Sequence, residues 1–491
     1  MMDVRSAQDQ AHKVRGLRAA PWMQPNAAPM SHSLHTLLLQ QLIHGVDLAH
    51  DGYFEALRNR EFSRLDKHKQ VYLDYTGGGL HSSSQVAHHM EYLLTGVHGN
   101  PHSINPTSMA STEAVEAARQ KVLAFFNATE DYHCIFTPNA SGALKIVGEC
   151  YPFQEDGTYL LTADNHNSVN GIREFCANKG GTFQYAPLHE NLTLDSAALK
   201  QGLKSFAGRN KLFAFPAQSN VSGVRHALKW VKRAQKQGWD VLLDAAAFAP
   251  TSPLDLTKVP ADFVAVSFYK IFGFPTGLGA LLVRKSAFEK LQKPWYAGGN
   301  ITLSSVGGAN RFLHDDHQRF EDGTVNYLDI PAISEGLRFV EEVGMDRLKQ
   351  RVDSLALYLH QGLKGLRHAN GKPLIRTYGP ADRRACGGTL AMNFQDPDGA
   401  IIPTSAVEDQ ANERGISLRT GCFCNPGVDE VNHDIASAEL EAYFGTRDKG
   451  DYYDFIAWSG IRRGAVRVSV GMATNRADLD RFIAFAATFC S

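Results

Sequence analysis

Residues 263–283 read FVAVSFYKIFGFPTGLGALLV, in which a single charged side chain, Lys270, lies between two apolar runs. The run before it, FVAV, is typical of a buried β-strand, and the run after it becomes apolar again at LGALLV. A lysine in such surroundings either packs its stem on an apolar surface while its amine reaches water, or holds the amine in a pocket for chemistry. The rest of the sequence has to decide between these two interpretations.

The sequence on either side of this stretch alternates short apolar runs with longer amphipathic ones, from about residue 70 to residue 310. YLLTA, KLFAFPA and WDVLLDAAA are typical of strands, whereas EAVEAARQKVLAFF and ALKWVKRAQKQG have helical spacing. This alternation predicts an α/β fold with a mainly parallel sheet covered by helices. We expect an N-terminal extension with helices over residues 1–69, a large α/β domain over 70–315 and a smaller α+β domain over 316–491.

The composition excludes several classes of protein. Lys and Arg together number 50 and Asp and Glu 51, so no strong overall charge points to nucleic acid or to an anionic membrane. No apolar stretch is long enough to predict a membrane-spanning helix. The seven cysteines are scattered and odd in number, which indicates reduced thiols in a cytoplasmic compartment.

Polar residues follow each predicted strand at its carboxyl end, where ligands bind in open α/β sheets. The turn TPNASGALKIV follows CIF and opens a helix, so its amides can bind an anion. The side chains presented after the strands are Ala140 and Ser141, His166, Asn220, Asp244, and the trio Ser267, Tyr269 and Lys270. Taken singly, an Asp or Asn at such a position is more often a helix cap, and a lone His is more often structural.

Taken together, these residues suit a phosphorylated, aromatic cofactor that carries a carbonyl group. Pyridoxal 5′-phosphate needs amides for its phosphate, a carboxylate for its ring nitrogen and a lysine for its aldehyde, and an imidazole can stack on its ring. A lysine with apolar neighbours has a lowered pKa, which supplies the neutral amine that this chemistry requires. The set therefore predicts pyridoxal phosphate as cofactor and favours the pocket interpretation of Lys270.

Longer motifs carry a resemblance to a known family. They are YLDYTGGGL (72–80), GNPHS (99–103), FPAQSNVSGVRH (215–226), RTGCFCNPG (419–427) and GAVRVSVGMAT (464–474). With these motifs the sequence resembles the class V aminotransferase superfamily of fold-type-I pyridoxal phosphate enzymes, which includes the cysteine desulfurases. It is similar above all to the desulfurase-like N-terminal domain of molybdenum cofactor sulfurases, from about residue 53 to residue 490.

The resemblance implies a role for each residue at the strand ends. Lys270 matches the Schiff-base lysine, Asp244 the partner of the ring nitrogen and His166 the stacking imidazole. Asn220 matches the residue near the phenolic oxygen of the cofactor. The phosphate cradle that the resemblance implies consists of Ala140, Ser141, Ser267 and Tyr269.

Further implications concern the substrate and a second subunit. Arg467 matches the arginine that clamps the substrate carboxylate, and we name Arg419 and Asn100 as further substrate-binding candidates. The segment RFEDGTVNY (319–327) resembles one that reaches across a dimer interface. The resemblance therefore implies a homodimer in which Thr324 contacts the phosphate bound by the partner subunit.

The motif RTGCFCNPG offers two cysteines, Cys422 and Cys424, with three interpretations. They are buried thiols in a turn, ligands of a zinc ion, or a nucleophile on a loop; no matching pair of ligands elsewhere supports zinc, so we predict no metal. By resemblance, Cys424 matches the persulfide-forming cysteine, and Cys422 is the weaker candidate.

The resemblance implies conversion of L-cysteine to L-alanine, with a persulfide on Cys424 for transfer to an unidentified protein or small molecule. The alternatives are a C–S lyase or an aminotransferase acting on an amino acid, and a non-catalytic family member that binds a partner.

Overall fold

The computed structural model describes residues 47–206 and 208–491. The part of the predicted N-terminal extension that precedes residue 47 lies outside these ranges. The elements before the main sheet are α1 (Asp51–Glu61), α2 (Arg64–Lys67), β1 (Val71–Tyr72), α3 (Ser83–Thr95) and α4 (Pro106–Phe125).

Strands and helices then alternate, as the sequence pattern predicts. In chain order these elements are β2 (Tyr132–Thr137), α5 (Ala140–Cys150), β3 (Thr158–Thr162), α6 (Asn167–Asn170), α7 (Ile172–Asn178), β4 (Thr182–Ala186), α8 (Ser196–Ser205), β5 (Lys211–Pro216), α9 (Lys229–Gln235), β6 (Trp239–Asp244), β7 (Phe263–Ser267), α10 (Phe268–Phe272), β8 (Gly279–Arg284) and α11 (Lys285–Phe288).

These strands form one seven-stranded sheet in the order β2-β8-β7-β6-β5-β3-β4. Only β8 runs against its neighbours, β2 and β7, and the other pairs are parallel. The carboxyl ends of β2, β3, β5, β6 and β7 therefore lie along one edge. The predicted α/β fold with a mainly parallel sheet is confirmed.

Both faces of the sheet are buried along its inner strands, which explains why β5, β6 and β7 read as largely apolar runs, whereas the edge strand β4 is mostly exposed. Along β7, Val264 and Val266 pack in the core on one face, and Phe263 and Ala265 pack in the core on the other. Helices from the alternating segments cover these two faces, and in the inner strands β5, β6 and β7 the polar side chains lie at or next to the strand ends.

The remaining elements follow the main sheet. They are β9 (Ile301–Ser304), β10 (Arg311–Leu313), α12 (Ile330–Val343), α13 (Met345–Lys364), β11 (Ile375–Tyr378), β12 (Thr389–Phe394), α14 (Thr404–Glu413), β13 (Ile416–Ser417), β14 (Arg419–Gly421), α15 (Pro426–Asn432), α16 (Ser437–Gly445), α17 (Tyr452–Ser459), β15 (Ala465–Ser469) and α18 (Arg476–Ala487), with single 3-10 turns at His317–Phe320 and Arg383–Ala385.

A second, antiparallel sheet of four strands has the order β11-β12-β15-β14. The N-terminal strand β1 pairs with β13, since Val71 lies opposite Ile416. One step further along the chain, Asp74 bridges to Ser469 on β15. The chain near residue 70 is thus joined to the C-terminal part, and the predicted domain boundaries at 69 and 315 stay predictions.

Two further observations concern membranes and metals. Across residues 47–206 and 208–491, no helix is both long and apolar enough to cross a membrane. Over the same ranges, no group of three or more His, Cys, Asp or Glu residues is arranged to hold a metal ion.

Candidate active site

A cavity of about 170 Å³ lies beyond the carboxyl ends of the parallel strands. A single water needs about 10–15 Å³ on this scale, so the cavity has room for a small organic molecule. It brings together eight of the residues predicted from sequence, namely Ala140, Ser141, His166, Asn220, Asp244, Ser267, Tyr269 and Lys270. Ser168 and Gln218 also line it and were not predicted.

One end of the cavity is formed by the N-terminus of α5. Asn139 caps this helix by accepting a hydrogen bond from the Gly142 N–H at 3.0 Å. The cap can approach β8 because residue 279 is glycine: a Cβ there would lie 2.7 Å from the Asn139 backbone. The amides of the first turn and the nearby hydroxyls therefore face an anion-sized space, at the positive end of the helix.

Hydroxyl groups surround this helix N-terminus. The Ala140 N–H donates to Ser267 Oγ at 2.9 Å, and Ser141 Oγ lies 2.6 Å from Ser168 Oγ. Tyr269 borders the same cavity, and burial raises the pKa of its phenol, so the hydroxyl keeps its proton at neutral pH. The arrangement is a donor-rich cradle that suits a phosphate.

Asp244 ends β6 in the middle of the sheet and is buried. Its Oδ1 accepts a hydrogen bond from the Ala246 N–H at 3.0 Å. Within the described ranges its other carboxylate oxygen has no hydrogen-bond donor, although a buried carboxylate normally has one. This oxygen is available to a protonated ring nitrogen.

Lys270 follows β7 in the short helix α10, with its side chain at the cavity. Burial lowers the pKa of its amine, the nearby Asp244 opposes this effect, and the charges of Arg467 and Arg419 lower the pKa further. A lowered pKa increases the fraction of neutral amine at neutral pH, and the neutral amine is the nucleophilic form. Of the two interpretations of Lys270, its position supports the second: the side chain lies in a pocket.

His166 caps α6 and lines the same cavity. The Ser168 N–H donates to its Nδ1 at 3.1 Å, so the proton of the neutral ring lies on Nε2. Burial lowers the pKa of His166, and the carboxylate of Asp244 opposes this effect. The neutral form of this ring is therefore favoured near neutral pH.

The loop that carries Cys424 is attached to the rim of the cavity. The Asn167 N–H donates to the Cys424 carbonyl at 2.7 Å, and Asn220 Nδ2 donates to the Phe423 carbonyl at 2.9 Å. Asn425 is fully buried and donates both to Asn220 Oδ1 at 2.9 Å and to the Asp164 carbonyl at 2.7 Å. The loop thus lies against the segments that follow β3 and β5.

The two cysteines of this loop differ in their surroundings. Cys424 is exposed, whereas Cys422 is half-buried. Burial raises the pKa of the Cys422 thiol, and the nearby carboxylate of Asp429 raises it further. Since the thiolate is the nucleophilic form, these surroundings favour Cys424 over Cys422 as the reactive residue.

Arg419 and Arg467 lie opposite each other on β14 and β15 and share a carboxylate, Asp74. Arg467 donates to Asp74 Oδ1 at 2.9 Å and to the Asn220 carbonyl at 3.0 Å. Burial lowers the pKa of Arg467, and Asp74 opposes this effect. The Arg467 guanidinium also lies 4.7 Å from the ring centroid of Phe423, the residue that precedes Cys424 in the chain. Both arginines are predicted from the sequence as site residues, whereas Asp74 is not.

Asn100 and Thr324 do not line the cavity. They lie close to each other on the surface, where Asn100 Nδ2 is 3.4 Å from Thr324 Oγ1. Within this chain they therefore form a separate, exposed pair.

The residues present fit pyridoxal phosphate. The donor-rich cradle at α5 suits its phosphate, the unpaired oxygen of Asp244 suits its ring nitrogen, and Lys270 and His166 border the space between them. Among the described residues, the cavity lining has no Asp, Glu, Lys or Arg other than Asp244 and Lys270, and its other members include Gln218 and the apolar Leu144, Pro216 and Ala246.

Comparison with known proteins assigns the class. Residues 71–482 match the aminotransferase class-V family, and the chain belongs to that family. Its curated relatives include the molybdenum cofactor sulfurase of Arabidopsis thaliana, 36% identical over 476 residues, and that of Homo sapiens, 37% identical over 462 residues. Each alignment covers 88% of this chain but only 57% and 51% of the relative, so the chain spans about half the length of these proteins.

Solved structures show the same fold. The apo cysteine desulfurase of Thermococcus onnurineus NA1 has a TM-score of 0.74 at 23% identity, covering 88% of this chain and 97% of that one. The Escherichia coli cysteine desulfurase CsdA has a TM-score of 0.71 at 21% identity, covering 89% and 99%. The predicted resemblance to class V enzymes, and with it pyridoxal phosphate as the cofactor of the family, is confirmed.

Proposed function

We propose that this chain is a pyridoxal phosphate-dependent cysteine desulfurase that converts L-cysteine to L-alanine and receives the sulfur as a persulfide on Cys424. The observation that carries the proposal is the position of the cysteine loop. The Cys424 carbonyl accepts a hydrogen bond from the Asn167 N–H. Asn167 directly follows His166, and both His166 and Lys270 line the cavity. Cys424 is exposed and its loop is hydrogen-bonded to the rim of this cavity, which supports attack by its thiol on a substrate bound there.

The chemistry begins at the substrate Cα. When bound, pyridoxal phosphate supplies an electron sink for the bond that breaks at this carbon. Lys270 removes the proton from Cα and later returns a proton to the substrate, which its lowered pKa allows at neutral pH. Asp244 would hold a proton at the ring nitrogen of the bound cofactor, and His166, which lines the same cavity, would cover the ring and exclude water.

Sulfur transfer then uses the thiol of Cys424. The Cys424 thiolate attacks the substrate sulfur and the C–S bond breaks. The electron pair of the C–S bond stays on the substrate Cβ, which takes up a proton. Overall, L-cysteine and a protein thiol become L-alanine and a protein persulfide, so no external oxidant or reductant is needed. A protein or small-molecule acceptor then takes the sulfur.

The test is an analysis of all products formed from L-cysteine. A desulfurase forms L-alanine together with protein-bound sulfur. A C–S lyase forms pyruvate and ammonia and needs no protein thiol, and an aminotransferase consumes an oxo acid. Formation of pyruvate in place of alanine contradicts the proposal and supports the lyase.

Asp244→Ala is expected to lower kcat by about 10²- to 10³-fold, because the ring nitrogen loses the charge that keeps it protonated. The measurement is kcat for alanine formation together with cofactor content. The control is Asp240→Ala on the same strand, whose carboxylate binds Tyr151 and Lys290 and does not line the cavity. An Asp244 variant with the kcat of the wild type shows that this residue is only structural.

We propose that the enzyme is a homodimer, supported by an apolar surface around Asn100 and Thr324. Ile104 on the same loop as Asn100 is 94% exposed, and Leu94 and Val97 before it are 80% and 76% exposed. Ile104 also borders a cavity of about 380 Å³ together with Gly323 and Val325, the neighbours of Thr324. Clustered apolar side chains of this kind are typical of an interface between subunits.

Hybrid dimers test whether Thr324 serves the partner's site. Lys270→Ala and Thr324→Asp each inactivate a homodimer, but mixing them should restore about one site in four, because half of the dimers are hybrids with one intact site. The measurement is activity after dissociation and reassociation at equal concentrations. A fully active monomer, or no recovery in confirmed hybrids, contradicts the shared site.

A cytoplasmic location is part of the proposal. All seven cysteines lie in the described ranges and none forms a disulfide, which fits a reducing compartment.

A further inference from the structure

Asp74 is a buried carboxylate held by two arginines beside the candidate active site. Arg419 contacts it through Nη2 at 2.6 Å and Nε at 3.0 Å, and Arg467 contacts it through Nη2 at 2.9 Å. Arg467 is only 3% exposed, whereas the side chain of Arg419 is 53% exposed. The two arginines come from directly opposed positions on β14 and β15, so their charges converge on one point.

The backbone is shaped to hold this cluster. The N–H groups of Gly77 and Gly78 donate to the Asp74 carbonyl at 2.9 and 3.1 Å. A Cβ on residue 77 would lie 2.5 Å from Asp74 Oδ2 and 2.8 Å from Arg419 Nη2. Glycine at this position is therefore needed for the carboxylate and the guanidinium to meet.

The net charge of this cluster favours the binding of one further anion. Two guanidinium groups and one carboxylate have a net charge of +1. Arg467 donates one hydrogen bond through Nη2 to Asp74 and one through Nη1 to the Asn220 carbonyl. Its buried Nε has no acceptor in the part of the chain that the structure describes. A buried N–H without an acceptor costs free energy, which a bound carboxylate could recover.

We infer that Asp74 determines the charge of the substrate: it restricts the site to amino acids with a single carboxylate and a neutral side chain. The inference rests on the proposed role of Arg467 in binding the substrate carboxylate. Asp74 pairs with Arg419, so that this second arginine is not available to an acidic substrate side chain. Its own negative charge also repels such a group, and an unfavourable charge contact of this kind is an effective source of specificity.

The experiment measures equilibrium dissociation constants of the holoenzyme for L-alanine and L-aspartate from the change in cofactor absorbance. Neither amino acid donates sulfur, so the result does not depend on desulfurase activity. The wild type is expected to prefer alanine. Asp74→Asn should shift the ratio of the two constants by at least about 10-fold towards aspartate, because Arg419 becomes available to the second carboxylate.

Two further variants test whether the release of Arg419 causes the shift in the ratio of the two dissociation constants. Asp74→Asn combined with Arg419→Gln should lose the gain in aspartate binding, since the free charge is removed. Asp478→Asn, at a buried pair with Arg58 away from the cavity, should lower stability and leave the ratio unchanged. An unchanged ratio in Asp74→Asn, or an equal loss of affinity for both ligands, overturns the inference.

Arg419→Gln alone provides a second test, which does not require Asp74→Asn to bind the cofactor. In Arg419→Gln, Asp74 has only Arg467 as a partner and competes more strongly for it. Alanine binding should then weaken by about 10-fold or more, and unchanged alanine binding overturns the inference. Loss of alanine formation from L-cysteine with the predicted ratios intact would contradict the proposed function alone.

Discussion

Replacement of Lys270 by alanine is expected to lower kcat by at least about 10⁴-fold and to abolish the covalent attachment of the cofactor. Lys270 is the lysine of the cavity lining, and burial lowers the pKa of its amine, so we propose it as the group that bonds the cofactor carbonyl and moves the Cα proton. The variant should still bind pyridoxal phosphate non-covalently through the cradle at α5. Borohydride reduction of the wild type, followed by peptide mapping, locates the attachment.

The matched control is Lys290→Ala, which removes a lysine bound to Asp240 outside the cavity. This variant should keep its turnover and its reducible link. A reduced label on any lysine other than Lys270 in the wild type would show that the assignment is wrong.

Replacement of Cys424 by serine is expected to lower alanine formation by about 10³-fold or more and to abolish the protein persulfide. Attack on sulfur needs a polarizable thiolate, and a serine hydroxyl is essentially unionised at neutral pH. Binding of L-cysteine should persist, because we propose that it depends on Lys270 and Arg467, so the change in cofactor absorbance on adding substrate should remain. The measurements are alanine formation, protein-bound sulfur and the absorbance change in one preparation.

The control for this variant is Cys422→Ser, two residues away on the same loop. Its thiol is half-buried with a raised pKa, so its replacement should alter turnover far less. If Cys422→Ser is the inactive variant and Cys424→Ser turns over normally, the nucleophile is Cys422. Normal turnover in both contradicts the use of a protein thiol.

Much of the site could be predicted because its residues follow strands. Asp244 and Ser267 are the last residues of β6 and β7, and the parallel register places Asp244 opposite Ala265, so both ends lie at one edge. Apolar runs fix where these strands end, and the parallel topology brings the ends together. The polar residues at these strand ends could therefore be predicted, as a set and not one by one, to line a common cavity.

Other residues could not be predicted, because their partners are distant in sequence. Asp74 follows the very short strand β1 and meets Arg467, 393 residues further along the chain. Asn425 reaches the Asp164 carbonyl across 261 residues. No periodicity signals either pairing. The only local signal for Asn425 is its position as a cap before Pro426, which indicates the start of a helix and not a contact with the site.

Sulfur transfer to Cys424 can be measured in a single turnover of the holoenzyme with a limiting amount of sulfur-labelled L-cysteine and no acceptor. Alanine is quantified, and the labelled sulfur on the peptide that contains Cys424 is measured by mass spectrometry under non-reducing conditions. We expect equal amounts of alanine and of persulfide on Cys424, formed together. Pyruvate and free sulfide without labelled sulfur on the protein would contradict it.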